Sequence, residues 1–225
     1  FLKRNVRFLK RDFWLILAVV PFFLIALGFE VLPALRLVAG SISDSRGVLT
    51  WKNYQTVLMG KFYLTSLKNS LTLSVTSSVL GVMVGILAAY AINRSSRRLR
   101  DAMMTFISIC VNFAGVPLAF AFIIILGASG ILSTLLSKYF GVDLYGTGFS
   151  LYTWTGLSLV YLYFQIPLST LLIYPSFYGL KKEWMEAATN LGASPWQFWR
   201  YIGLPTLAPA ILSTFSILMA NALGA

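Results

Sequence analysis

The residue types behind most enzyme and metal chemistry are nearly missing from this chain. It has no His and a single Cys, Cys110, set in the apolar run from Thr105 to Val111. Cys/His zinc sites, Ser-His-Asp triads and Cys-His nucleophiles each need a residue type that is absent, and no internal disulfide can form. The phosphate-cradling pattern GxxxxGK[ST] is missing too, because Gly60-Lys61 is followed by Phe62 and Gln55 stands where the first Gly belongs. No catalytic residue, metal ligand or cofactor site is expected. What remains is a small set of polar residues in strongly apolar surroundings: Glu30, Asn112, Gln165 and Asn221. Facing lipid they would be costly, so they should face protein or water, and they are the candidates for lining a polar path. Structural hydrogen bonding is the competing role for the amides. Glu30 could instead pair with Arg36 or meet a cationic solute.

The elements that position these residues follow from composition. Of the 225 residues 58% are apolar and only 11% charged, with a mean hydropathy of +0.78, against about 25% charged in a soluble protein. Too little polar surface is left to cover a core in water, so the solvent is lipid. About 20 apolar residues cross the hydrocarbon as a helix, and five stretches qualify: Phe13 to about Leu35, Leu71 to Ile92, Ala102 to Leu126 with Pro117 inside, Tyr152 to Tyr174 around Pro167, and Thr206 to Ala225. The expected fold is therefore all-α, a polytopic helical membrane protein with five transmembrane helices. The first stretch is longer than a signal-peptide core and reads as an uncleaved anchor, although Val38-Ala39-Gly40-Ser41 offers small residues for cleavage.

The formal net charge of +11 is explained by position. Lys3, Arg4, Arg7, Lys10 and Arg11 in the basic N-terminus 1–12, Arg94, Arg97, Arg98 and Arg100 after the second stretch, and Lys181, Lys182 and Arg200 after the fourth make twelve of the 18 basic residues. All lie on one side of the membrane, which the positive-inside rule assigns to the cytoplasm, N-terminus included. Nucleic-acid binding is not needed to account for them. Small-residue stripes, Ser77-Gly81-Gly85-Ala89 and Ser216-Ala220-Gly224, predict close helix packing. On the opposite side, the loop from Ser41 to Ser66 carries Tyr54, Val57, Leu58 and Phe62 at helical spacing and predicts a short amphipathic helix at the interface.

The segment from Lys181 to Pro205 is more than a connector. Glu183 to Leu191 are good helix formers stopped by Gly192, and Ser194-Pro195-Trp196-Gln197 reads as an N-cap, a Pro at the first helical position and a capping box. The second helix should run through Ile202 and stop by Gly203-Leu204-Pro205. Trp184, Ala188 and Leu191 share a face of the first helix, and Trp196, Phe198 and Trp199 make the second aromatic. Docking of these faces on the bundle or on headgroups is one reading. A small, acid-marked surface at Glu186-Ala187-Ala188 that a separate protein approaches is the other, and the favoured one.

Glu186-Ala187-Ala188, Gly192, Ile202, Leu204 and Pro205 stand at the spacing EAA-x3-G-x9-I-x-LP, complete at every fixed position. The segment resembles the EAA loop of the permease subunits of binding-protein-dependent ABC importers. From about Val48 onward, including Thr50 to Tyr54 and Leu67 to Leu71, the chain is similar to that family. Gln165 to Leu168 and Asn190 to Arg200 look most like spermidine/putrescine-type permeases and their iron, thiamine and phosphonate relatives. The resemblance implies a coupling helix that docks on cytoplasmic ATP-binding subunits, with Glu186 as the acidic contact and Gly192 as the turn. It also implies a second permease subunit, the same or homologous, an external solute-binding protein, and a bacterial-type plasma (inner) membrane. The chain would be one permease domain over 1–225, a transporter subunit and not an enzyme. The chain starts at Phe1 and stops at Ala225, where the family continues into a sixth segment, so a truncated chain is expected. A passive channel or membrane scaffold is the alternative class, and a membrane enzyme is disfavoured by the missing His.

Overall fold

A computed structural model describes residues 17, 19–44, 46–113 and 115–224. The basic residues of the N-terminus, the start of the first stretch at Phe13 and the last residue, Ala225, lie outside the described residues. The chain divides into two compact units, Phe1–Leu67 and Lys68–Ala225. Among the described residues the regular elements are all helical, and five helices are long and apolar enough to cross a membrane: Val19–Ser41, Lys61–Arg94, Val116–Phe140, Trp154–Gly179 and Pro195–Gly224.

The first unit is built on α1 (Val19–Ser41), whose path widens into a π-turn at Leu27–Val31. Leu32 donates its N–H to Leu27 O there, and Pro33 follows. Proline has no N–H to give and its ring collides with the carbonyl four residues back, so a wider turn just before it removes the collision. The predicted amphipathic helix is present as α2 (Lys52–Met59), but it ends at Gly60 and Phe62 belongs to α3 (Lys61–Arg94). Sequence spacing alone missed the side chain that ties α2 down. Asn53 Nδ2 donates to the carbonyls of Ser41 at 3.1 Å and Ser43 at 3.0 Å. The Tyr54 hydroxyl lies 2.9 Å from Ser41 Oγ. Carbonyls at and just beyond the end of α1, which have no helical partner, are thus satisfied by the next helix's first turn.

The second unit has α7 (Trp154–Ile173) at its centre, packed by α4 (Arg97–Asn112) and α10 (Leu204–Gly224). Its fourth wall is α3. Along α3 the buried positions include Ser74, Ser77, Gly81, Gly85 and Ala89, so the first small-residue stripe packs as expected. A Cβ at Gly81 would sit 3.0 Å from Gln165 Cβ, and one at Gly85 would sit 2.7 Å from Ser169 Cβ and run into its hydroxyl. Among the described residues the second stripe is not packed: Ser216, Ala220 and Gly224 are exposed, and Leu207, Thr214, Leu218 and Ala222 turn inward instead. Leu207 and Leu218 on the inward face join the core, which turns the stripe outward.

The third expected stretch is also corrected. Ala102 to Leu126 is not one helix with a kink at Pro117, because α4 stops at Asn112 and α5 (Val116–Leu126) starts anew. Gly115 takes φ +69° between them, a conformation glycine adopts freely, and Pro117 sits in the first turn of α5, where no N–H is needed. The span long enough to cross runs from Val116 through α6 (Ile131–Phe140), with a break at Gly127 to Gly130. Pro167, by contrast, stays inside α7. The Thr170 hydroxyl donates to Ile166 O beside it at 2.7 Å, and Ser169 Oγ lies 2.9 Å from the same carbonyl while its one proton is shared with Gly81 O.

Gly85→Leu should lower the unfolding temperature, because overpacking at such a contact costs about 1–3 kcal/mol. Cys110 is the only thiol and is buried, so a thiol-reactive dye reports unfolding directly. An unchanged transition would show that α3 and α7 do not need this approach.

Candidate functional site

The segment predicted to form an elbow does so. Helix α8 (Lys182–Asn190) ends in a paired turn: Gly192 N–H donates to Thr189 O at 2.9 Å and Ala193 N–H to Ala188 O at 2.9 Å, with Gly192 at φ +81°. This is the Schellman arrangement that the glycine predicts. Two residues on, α9 (Pro195–Phe198) opens with the expected capping box. Gln197 N–H donates to Ser194 Oγ at 3.3 Å, and Ser194 N–H donates to Gln197 Oε1 at 2.7 Å.

The second helix of the elbow does not stop at Gly203-Leu204-Pro205. It passes through a π-turn at Trp199–Gly203, where Leu204 N–H donates to Trp199 O, and continues into α10. The wider turn accommodates Pro205 as the one in α1 accommodates Pro33. Gly203 is buried with no Cβ because the Trp199 ring occupies that space.

Faces also differ from expectation. Met185 and Ala188 are the half-buried side of α8, while Leu191 is 88% exposed. Phe198 is buried, and Trp199 packs edge-on to Tyr90 of α3 with ring centroids 5.4 Å apart. These two aromatics seat the elbow on the bundle. Trp196, 67% exposed, and Leu191 are left free with Glu186 and Ala187 beside them. Glu186 makes a 3.1 Å ion pair with Lys182 in the open, which contributes little to stability. Ile202 is half-buried, and Leu204 and Pro205 are exposed.

Within the second unit the three intramembrane amides make no contact with one another. Gln165 is fully buried and donates through Nε2 to Ser77 Oγ at 3.2 Å, while its Oε1 has no partner. Asn112 donates to Ser108 O of its own helix at 2.7 Å. Asn221 lines a pocket of about 590 Å³ with Gly115, Leu157, Val160, Tyr161 and Phe164. Positions along α7 and α10 put that pocket at the end of the bundle opposite the elbow. The core residues Ala89, Ile92, Ile173, Phe177 and Leu207 fill the elbow end. Glu30 belongs to the first unit and is exposed, and among the described residues it makes no ion pair with Arg36. Six residues apart on a helix, the two point to different sides.

Residues 81–225 match the family model described as binding-protein-dependent transport system inner membrane component. The chain belongs to this family. The permease is 27% identical over 213 residues to the sulfate transport system permease protein CysT of Escherichia coli (strain K12), covering 92% of this chain and 73% of that one. It is 24% identical over 204 residues to the trehalose transport system permease protein SugB of Mycobacterium tuberculosis (strain CDC 1551 / Oshkosh), covering 84% and 65%. It is 26% identical over 197 residues to the spermidine/putrescine transport system permease protein PotC of Haemophilus influenzae (strain ATCC 51907 / DSM 11121 / KW20 / Rd), covering 85% and 69%. One solved structure, of a bacterial ABC transporter involved in the import of the acidic polysaccharide alginate, superposes with a TM-score of 0.73 at 22% identity over 98% of this chain and 77% of that chain. That likeness shows the fold. The permease is thus a multi-pass membrane subunit of an ABC importer.

Sequence reasoning missed three groups of residues in the permease. Ser169 pairs with α3 by donating to Gly81 O at 2.7 Å, and nothing local marks it. The Arg100 guanidinium is drawn toward the hydroxyls of Tyr174 and Tyr178, which hold its pKa above the ordinary value. Tyr90, which receives Trp199, is a lone aromatic in an apolar run whose partner could not be read off.

Gly192→Ala and Ser194→Ala should each destabilise the elbow by about 1 kcal/mol, one by strain at positive φ and one by loss of a cap. Hydrogen exchange should quicken at Lys182 to Phe198 while the thiol-dye transition of Cys110 stays put. Unchanged exchange in both variants would mean that the caps do not hold the elbow.

Proposed function

We propose that this permease moves a small polar solute into the cytoplasm by alternating access, driven by a separate ATPase subunit that docks on the elbow. The observation that carries this reading is the exposed Glu186 and Ala187 surface on α8, joined by the turn at Gly192 to α9, where Phe198 and Trp199 seat the elbow on the bundle. A displacement of this elbow reaches α10, because the chain continues from α9 into it without a loop. Glu186, Ala187, Ala188 and Gly192 form the docking surface, with Ile202, Leu204 and Pro205 joining it to the membrane span.

In this reading two ATP-binding subunits close on each other, draw together the elbows of two permease subunits, and open the bundle to the side where a solute-binding protein delivers cargo. The N-terminus and the elbow are cytoplasmic, as the basic residues on their loops support. Asn221 and the pocket it lines, at the end away from the elbow, are the best-placed part of the path; Asn112 and Glu30 are further candidates. Gln165, spent on the α3–α7 contact, fits packing better. The finer form of the cargo is polyamine-like, from the likeness of Gln165 to Leu168 and Asn190 to Arg200. Iron, thiamine and phosphonate are its alternatives, and the relatives' names add sulfate and trehalose.

Glu186→Lys and Gly192→Pro should abolish co-purification of the ATPase subunit and solute uptake while membrane insertion is retained. The first reverses a contact charge, and the second forbids φ +81°. In a Cys110→Ser background, Leu191→Cys should react with an impermeant thiol reagent only from the cytoplasmic side. Survival of docking and uptake in both variants would sink the coupling role, and labelling from outside would sink the topology.

A further inference from the structure

Two pockets meet beneath the elbow, and together they have the shape of an amphiphile. One, of about 240 Å³, is lined by apolar and aromatic side chains including Ile86, Leu87, Phe177 and Leu207. The other, of about 150 Å³, is lined among others by Asn93, Arg94, Lys181 and Lys182. They share Tyr90, Phe177 and Trp199 as a common wall. Along α3 the lining passes from Ile86 and Leu87 through Tyr90 to Arg94, a rise of about 12 Å from apolar to cationic. Leu87 is 68% exposed, so the apolar end opens to the bundle's outside, where lipid lies.

Of the three cations at the polar end, two are not neutralised. Lys182 is taken by Glu186 at 3.1 Å. Arg94 lies over the Tyr90 ring at 4.9 Å, and neither it nor Lys181 has a carboxylate partner among the described residues. No acid lines the pocket.

We propose that this groove binds one anionic phospholipid, its phosphate between Arg94 and Lys181 with Asn93 as a further donor, and one acyl chain in the apolar pocket against Leu87 and Leu204. Basic pockets on the cytoplasmic side of membrane helices suit acidic headgroups. The placement rests on the reading that the elbow is cytoplasmic, where anionic lipid is enriched. A lipid seated there touches Trp199 and Tyr90, the contact that holds the elbow to α3, so its occupancy would stiffen that contact.

The test is native mass spectrometry of the full chain in detergent, titrated with phosphatidylglycerol or phosphatidylcholine of identical chains. Phosphatidylglycerol should be retained about twenty-fivefold more tightly, given about fivefold for each of two cations near a headgroup. Arg94→Gln with Lys181→Gln should erase that preference, and Lys181→Gln alone, at an exposed position, should reduce it about fivefold. Leu87→Trp, which fills the apolar pocket, should weaken both lipids by about threefold or more. Equal retention of the two lipids, or a preference that survives the Arg94 and Lys181 changes, would overturn the proposal. Displacement of phosphatidylglycerol by millimolar inorganic phosphate, with Leu87→Trp having no effect, would make the site an anion site and overturn the lipid assignment. Detergent exposes both faces, so the result does not depend on ATPase docking. A failure of the topology shows only in the thiol labelling.

Discussion

Lipid gives two helices no hydrophobic reason to associate, so the second unit depends on how closely α3 and α7 can approach. Gly81 and Gly85 make the approach possible, and Gln165 and Ser169 make it favourable by bonding to Ser77 Oγ and Gly81 O. Every other packing relation of α7 follows from that register, since the face it turns to α3 decides which faces remain for α4 and α10. A buried amide in such a place is costly unless paired, and only half of Gln165 is paired. It specifies register more than it stabilises.

The same constraint explains why prolines sit in these helices without breaking them. In α1 and again between α9 and α10 a π-turn precedes a Leu-Pro pair, at Leu32-Pro33 and at Leu204-Pro205. Hydrocarbon supplies no water to satisfy freed carbonyls, so the backbone adjusts locally and hydroxyls help, as Thr206 Oγ1 does by donating to Ile202 O at 2.6 Å. For the elbow the outcome is mechanical. Because the turn widens and the helix does not end, a displacement of α9 is carried into the last span.

What was legible in the sequence divides along chain distance. The elbow was readable because its determinants are local: a glycine after a helix, a Ser and a Gln three residues apart, a Pro between them. Four of the five apolar stretches were readable because lipid demands length, and the third was misplaced, its span running from Val116 to Phe140. The Gln165 to Ser77 bond joins residues 88 apart, and no local pattern announces it. Pro117 was misjudged because a proline reads alike as a kink inside a helix or as the first turn of a new one, and the conformation of Gly115 decides. The stripe at Ser216, Ala220 and Gly224 was misjudged because small residues mark where a helix can approach another, not which neighbour is there.

Charge shows a further limit of one-dimensional reading. Arg94, Lys181 and Lys182 enter a topology argument as three equal counts on one side of the membrane. In the fold they are unequal: Lys182 is spent on Glu186, Arg94 lies over an aromatic ring, and Lys181 stands at the start of α8 facing the same pocket. The positive-inside rule needs only their side. The pocket needs their geometry, and because Trp199 is wall to both pockets and anchor of the elbow, what fills that space bears on the same contact that would carry force from the docking surface into the bundle.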